Sequence, residues 1–388
     1  MKSYRILDCH VHYALPIRRD ALHETLRCVG ADAANLVVVP DRARISCVPD
    51  ALAYKHAYPG ETYVFTSLDV SEYMRHPKSV GRRMKAFAAR MLRAGCDGIK
   101  IIEGKPDMRR MLPVPDFDDP VWEPFFAWAE RGQIPILWHV NDPEEFWDEA
   151  RIPAFARERG WFYGKDTVNN EEQYRQVTTL LARHPKLRIA FAHMFFLSAQ
   201  LERLAGYMRE FPNIRVDLTP GVELYVNLSR APEAARAFFD EFPSRILFGT
   251  DIGARAVINR TPLDKKESFQ RVKLCRSFLE KRGEFSMETD GGFLMGEGGL
   301  KLFGLGLPDD MLEAIYHDNF ISFAGAPPRA VKKRRVLAEC RRLRFMLGLM
   351  KRFDRDFVAD YSAVDDVRAY FKSTRSAHKH SIEREAST

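Results

Sequence analysis

The sequence predicts a (β/α)8 barrel with a long insertion after its eighth strand and a basic helical extension at its carboxyl end. The chain has 388 residues and is 46% hydrophobic, which is enough for one large core. Short apolar runs rich in branched residues alternate with amphipathic stretches of helical length. We count eight apolar runs of this kind, and eight repeated βα units are typical of a closed barrel.

The predicted elements follow this alternation along the chain. Strands are expected at residues 4–13, 35–40, 62–70, 98–104, 134–141, 187–195, 214–221 and 245–251. Helices are clearest at residues 80–94, 121–131, 171–184, 197–210, 231–241 and 309–324. The barrel is therefore expected to occupy residues 1–326.

Two insertions interrupt the repeat, one at 142–170 after strand five and one at 253–308 after strand eight. Both follow the carboxyl ends of strands, the face on which barrel active sites are built. They are predicted either to wall the substrate site or to cover the barrel and form an oligomer contact. The glycine-rich stretch 291–299 is expected to be a turn-rich loop, because it does not lie between a strand and a helix in the phosphate-binding arrangement.

A basic helical extension is predicted at 327–372, followed by a disordered polar tail at 373–388. Residues 329–355 contain eleven Lys or Arg against two acidic residues, so the net charge of +7 belongs to this extension and not to the barrel. Apolar residues recur there at helical spacing, which favours docking on the barrel or on a neighbouring subunit over binding of nucleic acid or membrane. They are Val336, Cys340, Leu343, Leu347 and Met350.

The six cysteines are scattered without a CxxC pair, which fits reduced thiols better than disulfides or a thiolate metal site. The sequence has no apolar run of membrane-spanning length and no secretory signal, so a cytoplasmic protein is expected. Any metal site must therefore use imidazole and carboxylate ligands.

Ligand-type residues recur at the predicted strand ends. His10 and His12 are two residues apart on strand one, and alternation of side chains places them on one face. His139 ends strand five, His193 ends strand six and Asp251 ends strand eight. Alternation is also expected to put these three on the barrel-facing side, with Ala190 and Ala192 among the residues on the opposite face. The sequence therefore predicts that all five groups converge at one mouth of the barrel.

With these motifs in place, the chain resembles the amidohydrolase superfamily. The resemblance is to the amidohydrolase-2 branch, which contains the aminocarboxymuconate-semialdehyde decarboxylase relatives, and it extends over residues 4–325. Its motifs are HxH on strand one, Gly-Ile-Lys on strand four, His at the ends of strands five and six, and Gly-Thr-Asp on strand eight. The resemblance implies one catalytic divalent metal, usually zinc. Its implied ligands are His10, His12, His139 and Asp251, with His193 as a further ligand or the residue that orients the attacking water.

Lys100 allows three interpretations. Its neighbours Ile99 and Ile101 suit the helix-facing side, which turns the lysine into the barrel, where an unpaired ammonium is costly. In binuclear relatives such a lysine is carbamylated and bridges two metal ions, whereas in mononuclear relatives it can bind a substrate carboxylate. The third possibility is a structural ion pair, for example with Asp8 or Glu103.

Other candidates lie around the predicted mouth. Glu103 and Asn141 follow strands four and five, and Arg255 follows strand eight with a planar fork suited to a carboxylate. We assign these three to substrate binding, with an ordinary exposed arginine as the alternative for Arg255. Asp8 is expected to lie one layer below His10 and His12 on the same face and to support the metal ligands.

The predicted function is hydrolysis of an amide, ester or lactone in a small molecule by metal-activated water, with Asp251, His193 and Lys100 as catalytic residues. The alternative is metal-dependent, non-oxidative decarboxylation of an unsaturated or aromatic acid at the same site. A third class is an inactive barrel that binds a metal or nucleic acid. The expected partners are a small-molecule substrate and a second copy of the chain, with neither membrane nor nucleic acid.

Overall fold

The computed structural model describes residues 3–14, 17–41, 43–221, 223–255, 263–287 and 299–385, with side chains to residue 373. Eight parallel strands lie side by side in chain order, from β1 to β8. Backbone hydrogen bonds of 2.8 to 2.9 Å join Cys9, His10 and His12 of β1 to residues 248–252, after β8, and bring the two edges together. The (β/α)8 barrel predicted from the sequence is confirmed.

The strands and helices that build this architecture are as follows. The strands are β1 Leu7–Tyr13, β2 Ala33–Val38, β3 Thr62–Thr66, β4 Gly98–Gly104, β5 Ile136–Val140, β6 Ile189–Phe191, β7 Ile214–Asp217, β8 Ile246–Leu247, β9 Arg282–Met287 and β10 Leu300–Leu305. The helices are α1 Arg19–Cys28, α2 Val48–Ala57, α3 Ser71–Arg75, α4 Val80–Ala94, α5 Pro106–Met111, α6 Glu123–Arg131, α7 Ala154–Glu158, α8 Asn170–Arg183, α9 Leu201–Glu210, α10 Leu224–Arg230, α11 Pro232–Glu241, α12 Lys265–Glu280, α13 Asp309–Glu313, α14 Asn319–Ala324, α15 Lys333–Phe353 and α16 Ser362–Glu385. A single π-helical turn, Ala314–Asp318, joins α13 to α14.

Several strands end earlier than predicted, most clearly β6 at Phe191 and β8 at Leu247. The backbone beyond them enters the left-handed region, with φ of 54° at His193 and 63° at Asp251. A left-handed residue cannot continue a β-ladder, so β6 ends before His193, whereas beyond β8 individual hydrogen bonds to β1 continue as far as Ile252. The polar residues at the mouth therefore lie on turns that follow the strands.

Alternating strand residues divide the core into two layers. Small and medium apolar side chains such as Leu7, Leu137 and Leu247 fill the barrel interior. Phe320 and Phe323 of α14 belong to this inner cluster and cover the amino-terminal end of the barrel. With that end closed by apolar packing, the opposite mouth is where the polar groups collect.

The two insertions both contain ordered structure. After β5, Phe146, Ile152, Ala156 and Tyr163 form a separate small core around α7. After β8, the chain forms α12 and an antiparallel hairpin of β9 and β10. The loop predicted at 291–299 lies outside the described residues except for Gly299.

The carboxyl-terminal extension consists of α15 and α16. The predicted apolar stripe of α15 is buried at Val336, Cys340, Leu343 and Leu347, where the helix packs on α2, α4 and α16. The backbone of α16 is helical to Glu385, within the segment predicted to be a tail. Across the described chain, every helix is too short or too polar to span a membrane.

Candidate metal centre

A bulge in β1 sets the direction of its two histidines. Pairing of β1 with β2 slips between Asp8 and Val11. Such a bulge switches the face on which later residues lie. Accordingly, Cys9 packs in the inner core whereas Val11 packs in the outer core. His10 and His12 follow the slip and face the barrel interior.

His10, His12 and Asp251 form a compact set of possible metal ligands. One nitrogen or oxygen atom from each residue lies within 4.8 Å of the other two. Asp251 Oδ1 is 3.0 Å from His12 Nε2 and 3.8 Å from His10 Nε2. His12 Nδ1 and Asp251 Oδ1 are both buried without a hydrogen-bond partner among the described residues. Two imidazoles and a carboxylate with unsatisfied atoms fit a divalent cation.

Asp217, at the end of β7, fixes the orientation of His10. Its Oδ2 lies 2.8 Å from His10 Nδ1, and both side chains are fully buried. Because a carboxylate only accepts, His10 carries its hydrogen on Nδ1 and presents the Nε2 lone pair. Burial also lowers the pKa of His10 well below its ordinary value, so the ring is neutral. Neutral Nε2 is the form of histidine that binds metals.

Gly249 allows the turn after β8 to lie close to His10 and Thr219. A Cβ on Gly249, just after β8, would lie 2.5 Å from Thr219 Oγ1 and 3.1 Å from His10 Cβ. No side chain larger than hydrogen fits this position without moving the site.

His193 reaches the site by a route that strand alternation did not predict. Ala190 and Ala192 pack inside the barrel, so their expected placement on the opposite face from His193 is wrong. The left-handed turn that begins at His193 brings its ring 5.8 Å from the His10 ring and 5.1 Å from the His139 ring, measured between centroids. The main-chain carbonyl of Thr219 accepts from His193 Nδ1 at 3.1 Å, and burial lowers the pKa of His193 to about 4.

His139 belongs to the same histidine cluster but has a carboxylate partner of its own. Its Nε2 lies 3.4 Å from Asp142 Oδ1. Lys105 donates to both oxygens of Asp142, at 2.6 and 2.8 Å, and Tyr163 OH donates to Oδ2 at 2.5 Å. His139 is therefore held beside the compact set and not within it.

Lys100 is buried with 1% of its surface exposed, and its Nζ lies 3.1 Å from His10 Nε2. Among the described residues, no carboxylate oxygen comes within 4.0 Å of Nζ, including those of Asp8 and Glu103. Burial lowers the pKa of Lys100 to about 8. The lysine thus contacts the atom of His10 that points toward the site.

The remaining predicted residues have other contacts. Asn141 Oδ1 accepts from Gln173 on α8 at 2.6 Å, and Glu103 Oε2 accepts from the main chain of Ile102 at 2.9 Å. Arg255 lies 3.5 Å from Asp264. All three side chains thus have protein partners.

Asp8 Oδ1 accepts from the main-chain nitrogens of His10 at 3.1 Å and Thr250 at 3.2 Å. The Thr250 hydroxyl donates to Asp8 Oδ2. The bulge separates Asp8 from the histidine side of the strand, so Asp8 supports the backbone of β1 and of the turn after β8.

Sequence reasoning missed three groups at this end of the barrel. Asp217 contacts His10 and also accepts from His193 N at 2.8 Å. Arg271 of α12 lies 3.7 Å from Asp251 Oδ2. Glu223 is 9% exposed, and neither of its carboxylate oxygens has a hydrogen-bond partner among the described residues. A carboxylate at the end of strand seven was a usable signal for Asp217, whereas Arg271 and Glu223 come from non-repeating segments.

Replacing Asp217 is expected to weaken metal binding without removing a ligand. Asp217→Asn keeps the shape but gives up one of the two acceptor oxygens that serve His10 Nδ1 and His193 N. We expect metal affinity to fall by about 10- to 100-fold, the usual effect of losing a partner of a metal-bound histidine. Titration with a fluorescent zinc chelator measures this change. Asp240→Asn, at an exposed pair with Arg236 on α11, is the matched control, and equal affinities in the two variants would contradict this role.

The fold and the cluster define an α/β barrel with a histidine and carboxylate centre at the carboxyl ends of its strands. A family model described as "Amidohydrolase", of the amidohydrolase-2 type, matches residues 7–319. The chain belongs to this family, as the resemblance of its motifs indicated. Among curated proteins, no sequence matches the chain.

Solved structures show the same fold at low sequence identity. A TIM-barrel protein from Bordetella bronchiseptica, described as uncharacterized, is 13% identical with a TM-score of 0.52, and the match covers 83% of this chain and all of that one. A structure described as amidohydrolase II is also 13% identical, with a TM-score of 0.50 and the same coverage. A 5-carboxyvanillate decarboxylase from Sphingomonas paucimobilis is 13% identical with a TM-score of 0.48, covering 84% of this chain and all of that one.

Proposed function

We propose that this protein is a metal-dependent hydrolase that cleaves an amide, ester or lactone in a small molecule. The observation that carries the proposal is the compact set of His10, His12 and Asp251, with buried, unsatisfied ligand atoms in a barrel of the amidohydrolase family. These three residues would hold one divalent cation, and we propose zinc because imidazole and carboxylate suit it. When bound, the cation supplies Lewis acidity toward water and the substrate carbonyl.

We assign separate roles in the proposed reaction to Asp251, His193 and His139. Asp251 directs Oδ1 toward the two histidines, which leaves Oδ2, 3.7 Å from Arg271, to accept a proton from the attacking water. His193 is neutral, and because its Nδ1 donates to Thr219, its Nε2 can take that same proton from Asp251 and pass it to the leaving group. His139 would serve as a further ligand of the cation or would position the substrate.

Lys100 is proposed to stabilise negative charge that develops on the substrate. Its ammonium lies on the barrel-facing side beside His10 Nε2, in a buried setting where a cation acts strongly on nearby charge. Carbamylation with a second metal ion remains the alternative that an anomalous diffraction experiment decides.

Product analysis in ¹⁸O-labelled water tests the hydrolase proposal. Zinc-loaded protein is incubated with a panel of aryl esters, lactones, anilides and aromatic acids. We expect one ¹⁸O atom in the acyl product, with turnover abolished in the double variant His10→Ala/His12→Ala. Release of carbon dioxide from an acid without label in the organic product would overturn hydrolysis in favour of decarboxylation. Ester cleavage that persists in the double variant would show that the assigned site is not responsible.

A further inference from the structure

The outward face of α15 is a feature that the proposed chemistry does not use. Arg334, Arg341, Phe345 and Arg352 are separated by seven, four and seven residues, which places them on one side of a helix. Leu349 and Phe353 continue the same side at four-residue steps from Phe345. We call these six residues the arginine–phenylalanine face. It lies opposite the buried stripe that packs on the barrel.

The apolar residues of this face are unusually accessible. Phe345 is 69% exposed, Phe353 is 79% exposed and Leu349 is 37% exposed. Exposed aromatic residues grouped on one surface indicate an interaction site, because each leaves a large apolar area in water. The apolar side chains lie one helical turn apart, so a single flat partner contacts all of them.

The charge of the face is of one sign. Arg334, Arg341 and Arg352 have no carboxylate within 4.0 Å among the residues with described side chains. By contrast, Arg342 and Arg344 on the flanks of the same helix pair with Asp69, Glu339 and Asp365. As far as the described side chains show, the three arginines of the face are therefore open to an external anion.

A basic cavity adjoins the start of the same helix. It has a volume of about 560 Å³ and is lined by Val331 and five basic residues. These are Arg93, Lys332, Lys333, Arg334 and Arg335. Arg334 thus belongs both to the cavity and to the arginine–phenylalanine face. The lining surface itself is mostly apolar and open, so these five basic residues add positive charge to this end of the face.

We propose that the arginine–phenylalanine face docks on the surface of an anionic lipid bilayer. Lipid headgroups offer phosphate to the arginines and the basic cavity, while Phe345, Leu349 and Phe353 enter the boundary between headgroups and acyl chains. The helix surface is convex, so a bilayer fits it better than an extended peptide, which requires a groove. A second copy of the face would bring arginines against arginines. The enzyme would then work beside a membrane without crossing it.

Vesicle co-sedimentation with the full-length protein tests this proposal. We expect binding to vesicles of equal parts phosphatidylcholine and phosphatidylglycerol at low salt, and little binding to phosphatidylcholine alone. Arg341→Gln/Arg352→Gln should lower the affinity roughly thirtyfold, since each basic residue near an anionic surface contributes about fivefold. Phe345→Ser/Phe353→Ser should lower it by at least about tenfold.

Matched variants elsewhere on the surface control for general effects. Phe269→Ser changes a 54% exposed phenylalanine of α12, and Arg209→Gln/Arg236→Gln removes the same two charges from other helices. Both controls should bind anionic vesicles like the unchanged protein. Loss of binding in the controls, or equal binding to neutral and anionic vesicles, would overturn the proposal.

Partners other than a bilayer on the arginine–phenylalanine face predict different outcomes of these experiments. Binding of a short single-stranded RNA at the same salt, without vesicle binding, would replace the bilayer with nucleic acid. A dimer in light scattering that is lost in Phe345→Ser/Phe353→Ser, again without vesicle binding, would assign the face to a second copy. Inhibition by millimolar inorganic phosphate together with no effect of the phenylalanine changes would reduce the feature to a simple anion site. Each of these results contradicts bilayer docking.

Discussion

The double variant His10→Ala/His12→Ala should contain no stoichiometric metal and should have no activity above the uncatalysed rate. Two of the three residues in the compact set are removed, and the carboxylate of Asp251 is not expected to hold a divalent cation without these two imidazoles. Inductively coupled plasma mass spectrometry of protein dialysed against zinc measures the metal content. The unchanged protein should carry about one ion per chain.

The single variant His12→Ala separates loss of metal from loss of fold. His10 has buried partners in Asp217, Thr219 and Lys100, so its removal leaves polar groups unsatisfied at a cost of about 1 to 3 kcal/mol each. His12 Nδ1 has no such partner among the described residues, and its Nε2 lies 3.0 Å from one residue, Asp251. His12→Ala should therefore lose metal while lowering the apo-protein's unfolding free energy by less than His10→Ala does.

The surface variant His76→Ala is the control for these changes, because His76 lies on a loop with a third of its side chain exposed. It should keep both metal and activity. Full metal content in the double variant would show that the histidine pair is not the metal site.

Glu223→Gln should stabilise the protein at alkaline pH. Burial, together with the charges of Glu145 and Asp142, raises the pKa of Glu223 to about 8. In the unfolded chain the carboxyl has its ordinary pKa near 4.5. The folded protein therefore binds the proton more tightly, and its stability relative to the glutamine variant falls as pH rises from about 4.5 to 8.

The expected gain in unfolding free energy for Glu223→Gln follows from the difference between the folded and unfolded pKa values. Each pKa unit corresponds to about 1.4 kcal/mol, and relaxation of the buried charge reduces the total. We expect the glutamine variant to be about 2 to 4 kcal/mol more stable than the unchanged protein at pH 8, with the two nearly equal at pH 4.5. Urea unfolding at both pH values measures the difference. Glu149→Gln, on the exposed loop after β5, should show no such dependence. A glutamine variant that is less stable at pH 8 would contradict an unpaired carboxylate.

We also propose that the carboxyl group of Glu223 contacts the substrate. Glu223 follows β7, on the side of the barrel where Asp142 and His139 lie. A buried carboxyl that is protonated at neutral pH is a hydrogen-bond donor to a substrate oxygen. If the substrate makes that bond, Glu223→Gln should combine higher stability with a higher KM.

The sequence predicted the barrel and most of the cluster because both depend on local patterns. Apolar runs at regular intervals predicted all eight barrel strands, and parallel strands in a barrel bring their carboxyl ends together. His10, His12, His139 and Asp251 lie at or just beyond such ends. Their convergence required only the order of the strands.

The details that local patterns could not predict depend on backbone irregularities and distant contacts. The bulge in β1 separates Asp8 from the histidines, and the left-handed turn at His193 reverses the face expected from alternation. Asp217 contacts His10 across 207 positions in sequence. Asn141 has a φ of 69° and turns toward α8, where it meets Gln173. None of these features leaves a periodic trace in the sequence.

Anomalous X-ray diffraction from crystals grown with zinc tests the central claim most directly. We expect a single strong peak, at the zinc absorption edge, within coordination distance of His10, His12 and Asp251, and ordinary lysine density at Lys100. A peak bound elsewhere, or no peak in this cluster at full zinc loading, would contradict the assignment of the metal centre. Two peaks bridged by a carbamylated Lys100 would contradict the single-ion account and place the protein among binuclear enzymes.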